Sequence, residues 1–111
     1  MMLSSELKKY LLQALNMALQ ITGETSHTNS YDVKVSDEGF FFIPRLPASY
    51  VVDDELYQKI FQIANAVLYP EYTLLKQTGT YFIPLDTNDI HVKRALFFPW
   101  KRGISFYEDV P

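Results

Sequence analysis

Cysteine is absent from this 111-residue chain, and so is any long hydrophobic run. The lack of cysteine excludes a disulfide scaffold, a thiolate metal site and a cysteine nucleophile. It also fits the reducing cytoplasm, which is where we expect the protein to act. The longest apolar runs, such as residues 40–43, have four or five members, whereas about 20 are needed to cross a bilayer. We therefore expect no membrane partner.

Glycine and histidine are scarce as well, with four and two residues. The glycines are scattered, so no phosphate-binding loop is present, and the histidines lack the spacing of a zinc-binding helix. Asp86, Asp89 and His91 could together bind a divalent cation, but capping of a helix explains both acids without a metal. No strained serine turn of the G-x-S-x-G type occurs. We expect no cofactor, no metal and no enzymatic activity.

Aromatic residues are abundant. Eight tyrosines and eight phenylalanines, in a chain that is 48% hydrophobic, exclude intrinsic disorder. A mass of 12.9 kDa leaves room for one hydrophobic core, so residues 1–111 are interpreted as a single globular domain.

Two segments have the periodicity of amphipathic helices. The first covers residues 4–22 and ends at Gly23; the second begins with the acidic residues 53–55 and ends before Pro70. The apolar stripe of the first helix consists of Leu7, Leu11, Ala14, Leu15, Ala18 and Ile21. That of the second consists of Leu56, Ile60, Ile63, Ala64 and Val67, and it is widened by Phe61 and Leu68. We expect Leu11, Leu15, Ile60, Ile63 and Val67 to be buried.

The remaining chain is typical of strands and turns. Residues 31–36 and 40–43 predict one hairpin, and residues 71–76 and 80–85 predict a second, with Gly39 and Gly79 in turns at positive φ. A third helix is predicted over residues 90–97 and a last strand over residues 104–107. The predicted fold is a two-layer α+β domain of order α-ββ-α-ββ-α-β, with an antiparallel sheet and the helices on one face.

Two details of the strands leave alternatives open. Residues 39–44 and 79–84 are similar over six positions and 40 residues apart, which indicates either an internal duplication or two strands of ordinary, similar composition. Phe41 must also face away from Phe40 and Phe42, so the second face of the sheet is either covered or an exposed aromatic surface.

The charge distribution supplies a candidate site. Lys93, Arg94, Lys101 and Arg102 give one short window a charge of +4, which leaves six basic against 13 acidic residues elsewhere. Phe98 and Trp100 lie among these basic residues, as in interface anchors or nucleic-acid stacking platforms. We interpret these six residues as a binding site formed by a helical turn and a reversal, with Trp100 partly exposed. The alternative is that the aromatic residues belong to the core and the charges are solvated.

The size, acidity and element order resemble those of small bacterial secretion chaperones and of small acidic immunity or anti-defence proteins of bacteria and phages. The resemblance implies an inhibitor or adaptor that binds another protein, here one with an acidic surface. A homodimer is possible. A nucleic-acid-binding accessory protein using residues 93–102 is the alternative, and a small enzyme or ligand-binding domain is a third.

Overall fold

The described residues form two helices and one antiparallel sheet, which confirms the predicted α+β class. The structure is a computed structural model, and it describes residues 2–23, 31–44, 54–84 and 94–102. The elements are α1 (Ser4–Ile21), β1 (Tyr31–Val35), β2 (Gly39–Pro44), α2 (Asp54–Leu68), β3 (Phe82–Pro84) and β4 (Arg94–Pro99). The strand order is β1-β2-β4-β3 with every neighbouring pair antiparallel. No helix in these ranges is long and apolar enough to cross a membrane.

The first helix matches its prediction except at its ends. Leu3 caps α1 without a side-chain hydrogen bond, and Ser4 lies buried in the first turn. Gly23 follows the helix with φ +81°, the left-handed conformation expected there. Leu11 and Leu15 are buried as predicted, but Ile21 is 60% exposed.

The second helix is rotated relative to the predicted stripe. Ile60 is buried as expected, whereas Ile63 is only half-buried and Val67 is 40% exposed. Tyr57 occupies the core instead, and Leu68 is buried as predicted. The tyrosine ring stacks on Phe98 of β4 with centroids 4.2 Å apart. This large flat contact turns the tyrosine side of α2 toward the sheet.

The β1–β2 hairpin is present in the predicted position. Val33 lies opposite Phe42 and Val35 opposite Phe40. Phe40 and Phe42 are fully buried beneath the helices, while Phe41, on the other face, is half-buried and stacks on Phe97 at 4.7 Å. Phe97 is itself only 6% exposed. The second face around this pair is therefore largely covered.

The prediction of a helix over residues 90–97 is wrong for residues 94–97. Residues 94–97 belong to β4, which lies between β2 and β3 in the middle of the sheet. Phe98 pairs with Phe40, and their rings stack at 4.9 Å. β4 pairs with a neighbouring strand on each side, and this pairing outweighs the helical pattern of only eight residues in the sequence. Residues 90–93 and the predicted strand 104–107 lie outside the described ranges.

The second predicted hairpin is also wrong, because both of its segments pair with β4 rather than with each other. Leu74 bridges to Trp100, and the N–H of Leu75 donates to the carbonyl of Pro99 at 2.9 Å. Further along, Phe82 lies opposite Leu96. Residues 76–80 leave the sheet between these two contacts. The side-chain amide of Gln58 on α2 donates to two carbonyls of this excursion.

The two similar segments are only partly equivalent in structure. Gly79 lies in a bend with φ +94°, as predicted, but Gly39 is part of β2 and its φ is not positive. The prediction of a turn at Gly39 is therefore wrong. Phe42 and Phe82, 40 residues apart, nevertheless pair with the same residue, Leu96, from opposite sides of β4.

Candidate binding surface

The six predicted site residues have different environments. Phe98 is 1% exposed and Trp100 is 6% exposed, so neither is available as an apolar anchor on the surface. Lys101 and Arg102 are exposed. The described ranges do not include Lys93, nor the side chain of Arg94, which is the first residue of β4.

Trp100 is a structural residue at the end of β4. Its indole N–H donates to the carbonyl of Ser36 at 3.0 Å, and its backbone N–H donates to that of Glu38. Its ring contacts Phe40 and Tyr72 at centroid distances of 5.5 and 5.6 Å. The expected partial exposure of Trp100 is therefore wrong, because its polar group is satisfied by the β1–β2 turn and its ring packs in the core.

The backbone of β4 separates the basic pairs. The sequence interpretation placed Arg94 near Lys101 through a helical turn followed by a reversal. In the structure residues 94–99 are extended and Trp100 continues the pairing. At about 3.3 Å per residue, Arg94 and Lys101 have Cα atoms roughly 23 Å apart. This exceeds the screening length of about 8 Å at physiological salt, so the two ends do not share one electrostatic field.

Acidic residues lie beside the basic pair at the end of β4. The hydrogen bond from Trp100 to Glu38 brings the turn that contains Asp37 and Glu38 next to Lys101. All three charged side chains are exposed. Two negative charges close to Lys101 and Arg102 lower the local positive potential, which makes this end of the sheet less attractive to a phosphate backbone.

Two titratable side chains of α2 have hydrogen-bond partners in the described ranges. Tyr57 is fully buried, and its hydroxyl donates to the carbonyl of Phe97 at 2.6 Å. Burial raises the pKa of Tyr57, with a further contribution from Tyr81. Asp54 accepts a hydrogen bond from Thr80 and is exposed. These groups are structural, since each is used in holding α2 to the sheet or to the excursion of residues 76–80.

Over residues 2–23, 31–44, 54–84 and 94–102, no three histidine or carboxylate side chains form a group that could hold a metal ion. The candidate ligands Asp86, Asp89 and His91 lie outside them.

A surface that the sequence interpretation missed runs along α1. Four large apolar side chains, three on this element and one on its N-cap residue, are between 38% and 60% exposed: Leu3, Tyr10, Met17 and Ile21. At 3.6 residues per turn the three helical residues fall within an arc of about 40°, and the row that includes the N-cap residue is about 27 Å long. We call these four residues the α1 ridge. Together with the buried Leu7 and Ala14 they follow an alternating spacing of four and three residues, a pattern typical of helix-packing seams.

The signal for the α1 ridge was present in the sequence. The predicted stripe included Ile21 and treated it as core, but omitted Tyr10 and Met17. The apolar arc of α1 is wider than the arc that α2 and β1 cover, and a periodicity argument alone does not show which part stays uncovered.

Searches against models of protein families, curated proteins and solved structures found no match to this chain.

Proposed function

We propose that the protein acts by binding another protein along the α1 ridge, rather than by catalysis. The observation that carries the proposal is the alignment of four exposed apolar side chains on one side of one helix. Single exposed apolar residues are common on any protein surface and need no explanation. An aligned row flanked by polar positions such as Glu6, Gln13 and Gln20 is instead typical of a contact surface.

The partner that fits the α1 ridge is an amphipathic helix. A straight apolar row about 27 Å long, with four-three spacing, provides the ridges and grooves that a second helix packs against. Of the basic residues in the predicted site, Lys101 and Arg102 are exposed, and their contact with an acidic surface of the partner stays a prediction. An inhibitor or adaptor in the cytoplasm would work in this way, without any chemistry of its own.

The test compares Met17→Glu with Gln13→Glu. Both substitutions add one negative charge to an exposed position of α1, but only Met17 belongs to the α1 ridge. Burying a methionine contributes about 1.5–3 kcal/mol, so we expect Met17→Glu to weaken capture of the native partner at least about tenfold. Gln13→Glu should bind like the unmodified protein.

A photo-crosslinking residue identifies the contact directly. Placed at position 17 it should form an adduct with the same protein whose capture Met17→Glu abolishes, and placed at position 13 it should not. Equal capture by both variants would contradict the proposal. Recovery of nucleic acid, with affinity falling steeply as salt rises, would favour the nucleic-acid-binding alternative.

A further inference from the structure

The two edge strands of the sheet differ in how they are protected from further pairing. β3 has three residues, ends in Pro84 and follows the excursion of residues 76–80. Short length, proline and irregularity are the devices by which natural edge strands avoid pairing with another chain. β1 has five regularly paired residues without proline or glycine, and two of them are valines. Within the described part of the sheet, β1 is therefore the edge better suited to accept another strand.

The direction of the backbone groups on β1 follows from its pairing with β2. The N–H of Ser36 donates to the carbonyl of Gly39 at 2.9 Å, so the backbone groups of residue 36 point toward β2. Directions alternate along an antiparallel strand, so those of residues 34 and 32 also point toward β2. The N–H and C=O groups of Val33 and Val35 consequently point to the outer edge.

We propose that β1 pairs with β1 of a second copy of this chain, antiparallel and with Val33 opposite Val33. In this register Asp32 of each copy lies opposite Lys34 of the other, so the arrangement contains two pairs of opposite charge. Both side chains are exposed, on the face opposite to Val33. A strand with an acid and a base placed symmetrically about its centre is complementary to itself, and this identifies the partner as a second copy.

Charge also selects this register over its neighbours. A shift of two residues in either direction puts Asp32 opposite Asp32, or Lys34 opposite Lys34, and like charges directly opposite destabilise a pair. A shift of one residue turns each side chain toward the wrong face and mismatches the backbone groups. The proposal concerns β1 and is independent of binding along the α1 ridge.

The first test exchanges the charges of β1. Asp32→Lys and Lys34→Asp each replace the two attractive pairs of a homodimer by two repulsive pairs. We expect the dissociation constant of the homodimer to rise roughly ten- to thirtyfold in each variant. An equimolar mixture of the two variants should form a heterodimer, because Lys at position 32 then faces Asp at position 34, and Lys34 faces Asp32. Lys76→Asp, an exposed position near the opposite edge, is the charge-matched control.

The second test removes the central backbone donor. Val33→Pro deletes an N–H that points away from β2, so we expect it to abolish the dimer while the β1–β2 hairpin remains. Val33→Ala also reduces the side chain but keeps the N–H, and should remain dimeric. The readout is the mass in sedimentation equilibrium, one or two times 12.9 kDa, with circular dichroism confirming the fold.

The proposal is overturned if the unmodified protein sediments as a monomer at millimolar concentration. It is equally overturned if a dimer forms but the charge variants and Val33→Pro leave its dissociation constant unchanged, since the copies would then meet at another surface.

Discussion

Replacing Gly39 with alanine should force β2 away from β4. A Cβ atom at this position would lie 2.4 Å from the carbonyl oxygen of Phe98, 2.7 Å from a ring carbon of Phe97 and 2.8 Å from the Cα of Pro99. Two of these three atoms belong to the backbone of β4, which has no side-chain rotation available to relieve the overlap. The strands must separate, or the β2–β4 pairing must shift.

The expected loss of stability can be bounded from this geometry. Extra atoms in a tightly packed interior cost about 1–3 kcal/mol, and three simultaneous overlaps between the paired ends of β2 and β4 place Gly39→Ala at the upper end, about 3 kcal/mol. Total stability is about 5–15 kcal/mol for a domain of this kind. At about 4 °C per kcal/mol, the melting temperature should fall by roughly 12 °C.

Urea denaturation followed by far-ultraviolet circular dichroism measures the effect, and Gly79→Ala is the matched control. No atom lies within 4 Å of a Cβ built on Gly79, but its φ of +94° disfavours alanine. That substitution should cost about 1 kcal/mol through backbone conformation alone. A loss at Gly39 no greater than at Gly79 would refute the argument that close strand approach requires glycine there.

Four further substitutions test the packing of the core. Tyr57→Phe should cost about 1–2 kcal/mol by leaving the carbonyl of Phe97 without its 2.6 Å bond. Burial raises the pKa of Tyr57, so the unmodified protein should lose stability as the pH rises above about 10, where the tyrosine ionises in the unfolded chain. Urea titrations at several pH values should show a smaller loss in the Tyr57→Phe variant. Leu11→Ala should cost about 2–5 kcal/mol, but Val67→Ala, at 40% exposure, under about 1 kcal/mol; equal losses in thermal melts would contradict the burial pattern. Trp100→Phe removes the indole bond to the β1–β2 turn, and an unchanged urea midpoint would show that this bond contributes nothing.

The helices and the first hairpin could be predicted because their signals are local. The periodicity of α1 and the alternation in β1 each depend on the residues of one segment. The prediction of the third helix is wrong because residues 95–98 are apolar throughout, and a short apolar run fits a helix or a buried strand equally well. These residues form a strand because β4 pairs with β2 on one side and β3 on the other, and the sequence of residues 94–99 alone does not show that pairing.

The geometry predicted for the candidate site is wrong for a related reason. The prediction that Arg94 lies near Lys101 depended on a helix before Pro99. Residues 94–99 form a strand instead, and its extended backbone separates the two residues. Trp100 could not be placed from sequence either, because the carbonyl it binds belongs to Ser36, 64 residues earlier. The requirement for Gly39 likewise arises from backbone atoms of β4. Each of these errors concerns a contact between distant parts of the chain.

The central position of β4 has a consequence for the order of folding. β4 is the last of the four described strands, yet it provides the only described pairing between the β1–β2 hairpin and β3. During synthesis the hairpin therefore emerges before the strand that pairs with β2. Until β4 is made, Phe40 of β2 lacks its stacking contact with Phe98. Because the pairing joins segments more than 50 residues apart, sheet completion should be slow compared with formation of either helix.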